Sequence, residues 1–119
     1  MTNEEAFRVS ADGLLEQGCV STAFGQAPYL CRYRGAEGRK CALGFLIPDE
    51  EYDASMENAE IGTLKKSCPS LQGLNEKMLQ RLQSIHDRRS PQKWRDELRK
   101  MAVKWGFNWT PPQAEEART

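Results

Sequence analysis

A chain of 119 residues with 39% apolar and 29% charged side chains suits one globular domain that buries roughly two thirds of its unfolded surface without covalent staples. No apolar run approaches the roughly 20 residues of a membrane span, and the opening MTNEEAF lacks the basic and apolar regions of a signal peptide, so membrane insertion and secretion are not expected. The 17 basic and 17 acidic residues cancel, yet residues 1–60 hold 5 basic against 11 acidic side chains and residues 61–119 hold 12 against 6; the expectation is that the acidic half lies against the basic one.

Thr2 and Glu5 have the spacing of a capping box, and Phe7, Ala11, Leu14 and Leu15 then form one apolar stripe that Gly18 ends. Residues 19–28 mix Ser, Thr, Gly and Pro and read as a loop. Tyr29–Arg34, the turn residues Gly35, Ala36, Glu37 and Gly38, and a return over Arg39–Ala42 predict a β-hairpin. A four-residue turn sets Cys41 opposite Arg32 and points Cys31 to the other face. Ala42–Ile47 is apolar without a clear period, and Pro48 predicts the start of a short helix through Asp49, Glu50, Glu51 and Tyr52.

Between Cys41 and Lys65 there is no basic residue, whereas Asp49, Glu50, Glu51, Asp53, Glu57 and Glu60 are acidic. EF-hand spacing is absent from this run, so calcium is not expected. Thr63–Ser67 reads as a helical turn stopped by Pro69. Asn75 caps a helix whose Met78, Leu79, Leu82, Ile85 and His86 share one side. Ser90 and Pro91 open another, in which Trp94, Leu98, Met101, Ala102 and Trp105 recur at helical spacing up to Gly106, with Phe107 as the contact that closes the cap. The expected fold class is α+β and mainly helical, one short antiparallel β-hairpin packed against about four helices. Residues 1–109 form the domain and residues 110–119 a flexible tail.

Three functions compete. The acidic run offers a partner-binding surface made of Asp49, Glu50, Glu51, Tyr52, Asp53 and Glu57, which presents carboxylates where the phosphates of a nucleic acid would sit. Alternatively, the chain is a thiol enzyme. Cys41 stands where a strand gives way to a helix start, with Arg39 and Lys40 adding positive potential, His86 as base and Asp87 or Asp49 as its orienting group. Thirdly, eight basic residues lie between Arg81 and Lys104, and Arg88, Arg89, Lys93, Lys100 and Lys104 offer a phosphate-binding surface. Cys19, Cys31, Cys41 and Cys68 contain no CxxC pair and His86 is the only histidine, so no metal or other cofactor is expected and the thiols read as buried structural groups.

The CxYRG…GxKCAxGxLIPDExY block of residues 31–52, LxxIHD at 82–87 and WxxxLxxxAxxWGF at 94–107 resemble a family of small uncharacterised bacteriophage and prophage proteins. The likeness runs from about residue 5 to 107 and departs at Phe45, where the pattern has a small residue or cysteine. The resemblance implies an accessory protein of a mobile element, working in the bacterial cytoplasm. The leading expectation is a non-catalytic binder of a host or defence protein, acting as an anti-CRISPR-like inhibitor of an immune system.

Overall fold

The computed structural model describes residues 1–21, 32–57 and 59–111. Helix α1 spans Asn3–Gln17, and its capping box forms as the sequence predicts: the Glu5 N–H donates to the Thr2 hydroxyl at 3.1 Å and the Thr2 N–H to the Glu5 carboxylate at 2.7 Å. Gly18 closes it in the left-handed region. Helix α2 spans Ile61–Ser67, α3 spans Glu76–Arg88 behind the Asn75 cap, and α4 spans Pro91–Trp105. Single 3₁₀ turns at Ala36–Gly38, Gly44–Leu46, Ala54–Met56 and Pro69–Leu71 punctuate the connections.

Helix α1 lies against α3, α4 and the Gly44–Leu46 turn, while α2 packs on α3. Their apolar stripes meet in one core, in which Phe7, Leu14, Met78, Leu82, Trp94 and Leu98 are fully buried. Truncating a core aromatic such as Phe7 costs about 3–5 kcal/mol, and the chain beyond α4 is fastened over it. Phe107 donates its N–H to the Ala102 carbonyl at 2.9 Å and sets its ring 5.3 Å from that of Phe7. Trp109 meets Phe7 edge-on at 5.2 Å and donates from Nε1 to Asp12 at 2.9 Å. Between them Asn108 donates its N–H to Glu4 and takes Arg8 on its carbonyl. Glu4, Arg8 and Asp12 recur every four residues, so one stripe of α1 holds the strap.

The structure corrects the expected α+β class. Among the described residues there is no β-strand, and the hairpin reduces to a single antiparallel bridge between Arg34 and Lys40. The register also differs by one residue. The Cys41 N–H donates to the Tyr33 carbonyl at 3.3 Å, which puts Tyr33 rather than Arg32 across from Cys41, around a turn in which Glu37 and Gly38 are both left-handed. Cys31 lies outside the described residues.

Side chains from elsewhere take the groups a ladder would use. Glu57 accepts the N–H groups of Tyr33 at 2.9 Å and Arg34 at 3.1 Å. Gln17 takes both the N–H (2.8 Å) and the carbonyl (2.7 Å) of Lys40. The Cys41 carbonyl accepts the Phe45 N–H at 3.3 Å, starting a turn in place of a strand. Gly44 makes this approach feasible, since a Cβ there would stand 2.0 Å from the Tyr33 carbonyl oxygen. The helix expected from Pro48 is a single turn, with the Pro48 carbonyl accepting the N–H groups of Glu51 and Tyr52. Of the expected tail, residues 112–119 lie outside those described. No helix among the described residues is long and apolar enough to cross a membrane.

The Glu57 clamp gives a stability test. Glu57→Ala leaves two backbone donors and the Tyr52 hydroxyl without their acceptor and is expected to cost about 2–4 kcal/mol in urea unfolding. Glu57→Gln, which keeps one acceptor oxygen, should cost less than Glu57→Ala; equal losses would show that the carboxylate geometry is not what holds the loop.

Candidate functional site

The tight turn after Pro48 divides the acidic run into outward and inward members. Asp49 and Glu50 are exposed, whereas Glu51 and Tyr52 are half-buried. The Glu51 carboxylate accepts the Cys68 thiol at 2.9 Å and the Ser70 N–H and hydroxyl at 3.0 and 2.7 Å. These donors, the thiol first, hold its carboxyl below the ordinary value of 4.5. Asp53 caps the Ala54–Met56 turn through the N–H and hydroxyl of Ser55, the hydroxyl being the larger cause of its lowered carboxyl. Glu57, with a side chain only 7% exposed, is the clamp on Tyr33 and Arg34 and also accepts the Tyr52 hydroxyl at 2.6 Å. Burial, then this bond, raises the Tyr52 hydroxyl.

Of the six predicted partner-binding residues, Asp49, Glu50 and Asp53 therefore remain at the surface, and Glu51, Tyr52 and Glu57 serve the fold. Asp49 meets Arg34 at 2.8 Å while staying 84% exposed. Arg34 also donates to the Ile47 carbonyl and lies 4.5 Å over the Tyr52 ring. Beside this turn opens a groove of about 430 Å³ floored by Phe45, Leu46, Ile47 and Pro48, with Lys40, Asp49 and Glu50 also in its lining.

The thiol and the imidazole occupy structural places. Cys41 is fully buried. Burial pushes its thiol up to about 12 and outweighs the N–H groups of Gly44 and Leu43 and the Gln83 side chain, which act in the opposite direction. The backbone donors expected at a helix start are thus present, but the thiol they face stays protonated. Asp87 does meet His86, at 2.8 Å from Nδ1. The other nitrogen, Nε2, accepts the Ser21 N–H at 3.0 Å, which fixes the neutral Nδ1–H tautomer and leaves no lone pair for a substrate proton. The ring is fully buried and stacks on Trp94 at 5.5 Å. Asp49, the other proposed orienting group, pairs with Arg34. Arg39 contacts Glu37 at 3.3 Å.

The basic residues sort themselves around Glu97. Arg81 meets it at 2.9 Å, Lys100 at 3.7 Å and Arg89 at 3.8 Å. Lys100 also lies 3.4 Å from Asp96. Lys100 and Lys104 line a second groove, of about 470 Å³, together with Lys77, Arg81, Met101 and Trp105, while Arg88, Arg89 and Lys93 lie outside its lining. Lys77 is the lining residue that sequence reasoning missed, whereas Trp105 was expected on the apolar stripe of α4. The signal was the four-residue spacing of Lys77 and Arg81 beside the Met78–Leu82 stripe, which places two cations on one flank of α3.

The expected contact of the acidic half with the basic one is not made through direct ion pairs among the described residues. Among the described residues every ion pair joins two side chains of the same half. No protein-family model, curated protein or solved structure matches the chain.

Two measurements check these assignments. With a thiol reagent at neutral pH, half-buried Cys19 should react first among the described cysteines, while buried Cys41 and Cys68 should react only as fast as the protein opens. Rapid, selective labelling of Cys41, slowed by His86→Ala, would restore the enzyme. The carboxyls of Glu51 and Asp53 are lowered in the fold, so their stabilisation is present above the ordinary carboxylate range and lost as pH falls through it. The urea midpoint is therefore expected to drop below about pH 4.5, and to drop less in Glu51→Gln.

Proposed function

We propose that the chain is a non-catalytic protein-binding module that takes a basic segment of its partner against the groove at Phe45–Glu50. The observation that carries this reading is the pair of exposed carboxylates, Asp49 and Glu50, at an apolar floor that they share with Lys40. Glu50 has no ion pair among the described residues, and Asp49 has only its exposed contact with Arg34, a kind of pair worth about 0–1 kcal/mol. An apolar floor beside exposed carboxylates supplies both parts of an interface, a place to bury an anchor and a field that orients the partner.

The likeness of the 31–52 block to phage proteins supports a host or defence protein of the bacterial cytoplasm as partner. The carboxylates then occupy a groove that the partner uses for nucleic acid, which makes the chain an inhibitor. Burial of Cys41 and full use of both His86 nitrogens favour binding over thiol chemistry.

The double variant Asp49→Lys/Glu50→Lys alters exposed positions and should leave the melting temperature nearly unchanged. With the partner retrieved from a bacterial lysate, its Kd is expected to rise at least about 100-fold, because like charges set against each other across an interface cost several kcal/mol. Capture at unchanged affinity overturns the reading.

A further inference from the structure

We propose a second binding site, for single-stranded nucleic acid, in the groove between α3 and α4. Lys77 and Arg81 line it from α3, Lys100 and Lys104 from α4, and Met101 and Trp105 supply its apolar surface. In each pair the two cations stand one helical turn apart, about 6 Å along the axis, so the groove carries two short rows of positive charge. No carboxylate belongs to its lining.

The nearest acids offset only part of this charge. Glu97, whose side chain is 16% exposed, holds Arg81 and Lys100, and Asp96 also approaches Lys100. Lys77 and Lys104 have no ion pair among the described residues, which leaves a positive excess. Trp105 is half-buried and lies nearly parallel to Phe107, with an interplanar angle of 22° and centroids 6.1 Å apart, so its plane is set by its neighbour. Cations in rows beside an aromatic platform match a base with its flanking phosphates. The volume of about 470 Å³ is that of a small-ligand site, enough for one or two nucleotides and too confined for a duplex.

The test is fluorescence anisotropy of a labelled oligothymidylate of about 12 nucleotides, titrated with the full chain between about 50 and 200 mM salt. Affinity should fall with salt at a log–log slope of about −1.5 to −3, from two to four phosphate contacts on a single strand. Lys77→Ala/Lys104→Ala, at exposed positions without ion pairs, should flatten that slope by about 1.4 and raise Kd at least tenfold. Trp105→Leu should weaken binding at least about fivefold, the low end for loss of one base stack. Absent binding, a flat salt response, an unchanged Kd in the lysine variant, or equal affinity for duplex would each overturn the proposal. The Asp49→Lys/Glu50→Lys variant should keep its oligonucleotide affinity, so this site and the acidic one stand or fall separately.

Discussion

His86 accepts the Ser21 N–H and donates to Asp87, whose same oxygen takes the Gln83 amide, while the Gln83 carbonyl accepts the Leu43 N–H. This chain of bonds ties two irregular segments, around Ser21 and Leu43, to one edge of α3. Neither Ser21 nor Leu43 lies within a helix or strand, so their buried backbone N–H groups need side-chain acceptors, and each orphan would cost about 1–3 kcal/mol. Stacking of the imidazole on Trp94, whose own Nε1–H bonds the Arg89 carbonyl at 3.0 Å, extends the same constraint to the start of α4. The arrangement places the ring proton on Nδ1 and engages both nitrogens of His86 within the fold.

Elsewhere, too, side chains do what regular backbone pairing does in other folds. Ser10 of α1 bonds the Ala42 carbonyl at 2.9 Å, Gln17 clasps Lys40, and Glu51 ties the turn after Pro48 to Cys68 and Ser70. Such contacts span tens of residues in sequence. They explain how residues 32–57 hold one shape with only single 3₁₀ turns for secondary structure, and why Glu51 and Glu57 face inward while Asp49 and Glu50 are left outside.

The helices were legible in the sequence because their signals are local: the Thr2–Glu5 box, the Asn75 cap, Ser90–Pro91, and glycines at both αL caps. The hairpin was not, because alternation and turn residues say nothing of competitors for the same donors. Glu57, more than twenty residues from Tyr33, wins them. Charge counting failed for a related reason. It registered six acids in a row without revealing that Glu51, Asp53 and Glu57 each accept bonds from the surrounding backbone or side chains. Burial, which a single sequence does not display, decides the protonation of Cys41.

The Glu57 clamp has a bearing on how the protein behaves in a crowded cell. An extended segment with free N–H groups is a template for another chain, and proteins guard such edges against pairing that ends in aggregation. At Tyr33 and Arg34 those donors are already engaged by a nearly buried carboxylate. The segment that most resembles a strand is thereby closed to strand addition. The carboxylate that fastens the loop thus also occupies the donors that an added strand would need.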